Sequence, residues 1–211
     1  FKEVEPVSIN SNATLSQTSD IHTGVRTIKL SNITGNVTVT FYGTYCYDLI
    51  TEFTVNAGES TKMLYTYVSS SNKAKILRIR EEDDDIPVAS THTWAEGGKH
   101  ILRYSFTNHA VPYDMFNGVT AITGIEIGDC VTSLESYAFK GTSIERVVIP
   151  ETITSFGSSL FYDCVHLKHA VLPKGITEIY DSMFRGCESL QSIDIPEGVT
   201  RFGDFAFDGC S

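Results

Sequence analysis

The chain has 211 residues, 41% hydrophobic and 11% aromatic, and a formal net charge of −10. That composition supports a folded core, and no run approaches the roughly 18 consecutive apolar residues that span a bilayer. The acidic excess is concentrated in residues 111–211, where it repels a phosphate backbone and argues against nucleic acid as a partner.

Abundant Thr, Ser and Val, with aromatics weighted towards Phe and Tyr, favour strands over helices. In residues 1–72, Val25-Arg26-Thr27-Ile28-Lys29-Leu30 alternates, and Gly35-Asn36 precedes Val37-Thr38-Val39-Thr40-Phe41. Further strands are expected at 50–55 and 63–68, separated by the turn-rich Asn56-Ala57-Gly58-Glu59. Short strands at this spacing predict a small antiparallel β-sandwich over 1–72, ending at the polar run Ser69-Ser70-Ser71-Asn72. Residues 73–110 predict a three-stranded β-meander, with strands at 74–80, 88–94 and 100–106, that caps the first coil of a repeat region at 111–211. In its third strand Ile101, Arg103 and Ser105 share one face, and Leu102, Tyr104 and Phe106 the other.

From 111 to 211 the sequence repeats every 22 or 23 residues. Ile127-Gly128-Asp129-Cys130-Val131-Thr132 recurs as Ile149-Pro150-Glu151-Thr152-Ile153-Thr154, Leu172-Pro173-Lys174-Gly175-Ile176-Thr177 and Ile195-Pro196-Glu197-Gly198-Val199-Thr200. Aromatic anchors come after them at Phe139, Phe161, Phe184 and Phe207, and Met115-Phe116-Asn117-Gly118 marks an incomplete first coil. Such a period is the signature of a solenoid, in which neighbouring coils must stack because one coil cannot bury its own apolar side chains. Ile144, Val147, Ile149, Ile153, Phe156, Leu160 and Phe161 are expected inward in the second coil. Cys164, Cys187 and Cys210 occupy one repeat position, where a packed inward column is expected rather than disulfides between coils. Five cysteines leave at least one thiol unpaired in a monomer.

The stretch from Ser143-Ile144-Glu145-Arg146-Val147-Val148-Ile149-Pro150 to Phe161-Tyr162-Asp163-Cys164, and its copies, resembles BspA-like leucine-rich repeats. The first full copy departs from the pattern, with Gly128 for proline and Thr142 where cysteine is usual. The resemblance implies a secreted or outer-membrane-anchored protein whose leader, lipidated in the anchored form, has been removed. It also implies a non-enzymatic, adhesin-like role in binding a host or bacterial surface protein or glycan.

No nucleophile elbow, P-loop, dinucleotide fingerprint or zincin helix occurs, and no catalytic residue, metal site or cofactor is expected. His166 and His169 fall at a strand start, so their spacing lacks the meaning it has on a helix. The run Glu81-Glu82-Asp83-Asp84-Asp85 lacks the spaced ligands and glycine of a calcium loop. Asn12, Asn32 and Asn36 lie in glycosylation sequons, which matter only in a glycosylating source. Alternation turns Glu126, Arg146, Val148, His169, Val171 and Asp194 outward, together with Gly124 and Ser192. Two of them are valines that the fold does not need to expose, so this row is the candidate ligand-binding face. Two other readings compete: a structural spacer, and a carbohydrate-binding accessory protein stacking sugars on Tyr42, Tyr45, Tyr47 and Trp94. Ser211 directly follows a complete repeat, which predicts a trimmed chain or self-association through Ile193, Ile195, Val199, Phe202 and Phe207.

Overall fold

A computed structural model describes residues 14–19, 25–31, 37–42, 47–82 and 84–210. It is almost wholly β, with one short helix at Ser70–Lys73. Two compact units divide between Cys46 and Tyr47. In the first, strands β1 (Thr14–Ser19), β2 (Val25–Ser31) and β3 (Val37–Tyr42) form an antiparallel sheet in that order. Leu30 lies opposite Leu15 on β1 and Val37 on β3, so the alternation seen in sequence does mark two adjacent strands.

The division falls well before the expected boundary at 69–72, and the sandwich expected over 1–72 does not hold together as one unit. The reason is β4 (Leu49–Val55), which belongs to the second unit. Leu49, Thr51, Phe53 and Val55 are buried on one face of β4, and Ile50, Glu52 and Thr54 point away from the core. Strand β5 (Ser60–Lys62) is short, and residues 63–68 form no strand. Instead Met63 and Leu64 are buried in a turn, both backbone N–H groups donating to the Ser90 carbonyl.

Next come β6 (Ile76–Glu81), β7 (Asp84–Ile86), β8 (Thr91–Thr93) and β9 (Gly98–Phe106). The expected meander is corrected here too. Its middle strand leaves the sheet, β8 pairing with β5 while β6 pairs directly with β9. Strands β6 and β7 pair antiparallel, Glu82 after β6 taking φ 49°, and Asp85 pairs with Arg78 at 3.1 Å. On β9 Leu102, Tyr104 and Phe106 are buried, as their parity predicts.

The remaining strands belong to the repeats: β10 (Ala110–Val111), β11 (Ile122–Ile127), β12 (Ser133–Leu134), β13 (Arg146–Val148), β14 (Ser155–Phe156), β15 (His169–Val171), β16 (Glu178–Ile179), β17 (Ser192–Asp194) and β18 (Arg201–Phe202). All of these except β11 form parallel ladders, β13-β15-β17 on one side and β10-β12-β14 and β16-β18 on another. Strand β11 differs. It pairs antiparallel with β4, giving a five-stranded sheet in the order β11-β4-β9-β6-β7. The cap therefore takes over the first repeat strand. Gly128 shows how closely: its N–H donates to the Asp48 carbonyl at 3.0 Å, and a Cβ there would run into the Tyr47 carbonyl oxygen. Proline, usual at this repeat position, would supply neither the donor nor the space.

Inside the solenoid Phe116, Phe139, Phe161, Phe184 and Phe207 stack, with centroids 5.6–5.7 Å apart and planes within 11°. Of the second-coil residues expected inward, all are buried except half-buried Phe156. In the last coil Ile195 and Phe202 are exposed, while Ile193, Val199 and Phe207 are half-buried. The sulfur column packs inward as free thiols: Cys164, Cys187 and Cys210 donate to the carbonyls of Phe139, Phe161 and Phe184 in the preceding coil, at 3.1–3.2 Å. Thr142 stands in the same column, its hydroxyl donating to Phe139 O at 2.9 Å. Burial pushes the Cys164 thiol up to about 11 and raises Cys187 and Cys210 as well. Cys130 is disulfide-bonded.

Candidate ligand-binding face

The outward residues singled out from sequence fall into register. Arg146 lies beside His169 and His169 beside Ser192; Val148 lies beside Val171 and Val171 beside Asp194. One row is thus a cation, an imidazole and a hydroxyl, with His169 Nδ1 and Ser192 Oγ 2.8 Å apart. The second row is two valines ending in a carboxylate. Val148 is 48% exposed although its chain neighbours Val147 and Ile149 are buried. Arg146 and Asp194 are exposed, and His169 and Val171 half-buried. Burial is cheap for inward residues and unnecessary for these, so their surface is available to a ligand.

Glu126 does not continue the same ladder, because β11 pairs with β4, placing Glu126 opposite Ile50. It nevertheless lines, with Arg146 and Val148, a groove of about 820 Å³. The far wall comes from the cap: Glu52, Thr54 and Lys99. Gly124, at an outward position, contributes no side chain between Glu52 and Arg146, which leaves the hollow. Sequence patterning identifies Glu126, Arg146 and Val148 but misses the cap residues. Alternation in β4 does turn Glu52 and Thr54 outward; nothing local shows that this strand docks on the first repeat.

Charge along the groove is unevenly committed. Lys99 pairs with Glu52 at 2.8 Å, and Thr123 also donates to Glu52 at 3.2 Å. Lys168 pairs with Glu145 at 2.9 Å, and this hydrogen bond holds the Glu145 carboxyl below the usual carboxylate range. Arg146, Glu126 and Asp129 have no ion-pair partner among the described residues. The groove therefore presents one uncommitted cation and two uncommitted carboxylates around an apolar floor of Ile125 and Val148.

Trp94 does not fit the sugar-stacking reading. It is 4% exposed, packs against Phe53 at 5.8 Å, and donates from Nε1 to Glu81 at 2.9 Å. Tyr47 is half-buried with Arg103 over its ring at 5.6 Å, and Tyr42 and Tyr45 lie outside the side chains described. Among the described residues Asp48, His109 and Cys130 bring three ligand-type groups together. They form a structural clasp instead of a metal site. Cys130 is disulfide-bonded, and buried Asp48 accepts from Phe106 N–H at 2.5 Å and meets His109 Nδ1 at 2.7 Å.

A family model described as the BspA type leucine rich repeat region matches residues 100–211 in six copies. Two solved structures are similar. A leucine-rich repeat protein from Bacteroides ovatus is 28% identical with a TM-score of 0.46, over 47% of this chain and 26% of that one. The T. pallidum leucine-rich repeat protein is 28% identical with a TM-score of 0.39, over 45% and 56% of the two chains. The chain thus spans about a quarter of the first and just over half of the second. No curated protein matches.

Proposed function

Because this chain belongs to the BspA-type leucine-rich-repeat family, we propose that it is a non-enzymatic, adhesin-like interaction protein, secreted or held at the cell surface, whose strand face binds a partner protein. The observation that carries this reading is the continuity of the groove with the register-aligned rows. Arg146 and Val148 stand in both, so a ligand engaging the hollow at Gly124 meets the Val148–Val171 pair next. An apolar centre beside an arginine, with a polar rim, is the anatomy of a protein interface.

Solenoids present an extended surface assembled from equivalent positions of successive coils, which suits them to binding. No helix among the described residues is long and apolar enough to cross a membrane. The test is binding of the full chain to immobilised extracellular-matrix proteins by surface plasmon resonance. A ligand bound by the wild type should lose about tenfold in affinity when Arg146→Ala and Val148→Ser are combined, about 1.4 kcal/mol. Unchanged affinity in a folded double variant places the ligand elsewhere.

A further inference from the structure

A second surface of the solenoid carries a run of aromatic and cationic side chains that the strand face does not use. It is built from two repeat columns, the residue after each stacked phenylalanine (Lys140, Tyr162, Arg185) and the residue two before it (Tyr137, Phe205), with Tyr113 of the first coil beside them. Tyr113 meets Tyr137 edge-on with centroids 5.7 Å apart. Lys140 lies over Tyr137 at 5.7 Å and Tyr162 at 4.9 Å; Arg185 lies over Tyr162 at 5.6 Å and Phe205 at 5.1 Å. These six side chains form one unbroken line across successive coils, with Tyr113 46% and Phe205 63% exposed at its ends.

The fold does not require aromatics there. Tyr137 and Phe205 have φ of 60° and 57°, a left-handed conformation that bulky residues disfavour. The same column is filled by Asp114, Ser159 and Ser182 in other coils, with the same backbone. Rings at two of these positions therefore add surface, not local stability. We propose that this stripe is a glycan-binding surface, taking an extended, uncharged polysaccharide whose successive sugar rings lie across successive coils.

Three observations favour that occupant. The stripe runs in one direction across successive coils, each contributing one or two of its side chains, and a linear polysaccharide is likewise a one-dimensional array of rings. Pyranose rings carry flat C–H faces that stack on aromatic side chains, for which Tyr113 and Phe205 are exposed at the two ends, and Lys140 and Arg185 carry N–H donors for hydroxyls. Finally, only one of the two cations is left without a carboxylate: Arg185 is balanced by Asp208 at 3.0 Å, and Lys140 lies over two rings. The grooves of about 820 and 510 Å³ are lined by other residues, so the stripe is separate from both.

The test is native affinity electrophoresis of the full chain in gels containing xylan, mixed-linkage β-glucan or chondroitin sulfate. Retardation is expected with at least one of the two neutral polymers and should persist when salt is raised. It should fall at least fivefold in a Tyr113→Ser, Phe205→Ser double variant with an unchanged melting temperature, and survive Arg146→Ala, which separates it from the strand face. Serine is chosen because Ser159 and Ser182 already occupy the Phe205 column. Migration unaffected by both neutral polymers would overturn the proposal, as would retardation that the double variant retains. Binding confined to chondroitin sulfate and abolished by salt would assign the stripe to anions instead. Loss of a protein ligand in the double variant, without gel retardation, would assign it to a protein.

Discussion

The carbonyl of Tyr47 occupies the space into which any side chain at Gly128 would project, and the Asp48 carbonyl accepts the Gly128 N–H. Cap and solenoid are locked together at that glycine. Gly128→Ala should destabilise the second unit by roughly 3 kcal/mol, as overpacking against immovable backbone does. Gly128→Pro should cost more, because the hydrogen bond is lost too. Urea denaturation measures both; a stable Gly128→Pro variant would show that the junction can part without unfolding.

A column of left-handed residues after the phenylalanine stack reads Gly118, Gly141, Asp163, Gly186 and Gly209, with Asp163 at φ 55°. Replacing Asp163 by glycine should stabilise by about 1 kcal/mol by removing the Cβ penalty. Gly186→Ala should destabilise, since φ is 73° and the new Cβ would meet the Asp163 carboxylate. Combined, the two changes should be less harmful than their sum, because the clash disappears with the carboxylate. Strict additivity in a double-mutant cycle would refute this steric account.

Cys164 gives a pH dependence of definite sign. Its thiol is held up to about 11 by burial, while an unfolded cysteine ionises near 8.5. Between those values only the unfolded chain gives up the proton, so stability is complete below the lower value and is lost as pH rises through the upper. The loss attributable to this residue is roughly 2–3 kcal/mol, and buried Cys187 acts in the same direction. Chemical denaturation at pH 8 and pH 10.5 should show a smaller decline in Cys164→Ala than in the wild type. Parallel declines would mean that the thiol is not protected.

Arg146→Ala combined with His169→Ala should leave stability within about 0.5 kcal/mol, because neither side chain supports the core. Phe161→Ala, by contrast, removes the middle of the ring stack and should cost about 3–5 kcal/mol. Calorimetry of the two variants side by side separates the face from the framework.

The solenoid is legible in the sequence because its information is local and repeated. Ile149-Pro150 and its copies mark strand ends, and parity then sends Val147 inward and Val148 outward without knowledge of any partner. The cap is not legible for the opposite reason. Leu49–Val55 alternates cleanly, but alternation says which face is buried and not which edges are paired; its partners lie at 98–104 and 122–127. Thus Glu52 and Lys99 escape notice although their neighbours across the groove do not. Trp94 misleads because an aromatic between polar residues looks the same whether its ring is outside or, as here, inside with Glu81 satisfying its N–H.

The sulfur column has a consequence for the conditions under which the protein works. Cys164, Cys187 and Cys210 hold adjacent coils through S–H to carbonyl contacts and form no bond with one another. Cohesion between those coils is therefore indifferent to redox potential: reduction has nothing to break there, and burial of Cys164 and Cys187 keeps oxidants from reaching the two thiols. Cys130, beside the Asp48–His109 clasp, carries the bond that a reductant can open. A shift from oxidising to reducing surroundings thus acts at Cys130 in the first repeat, while the outward rows on β13, β15 and β17 keep their register.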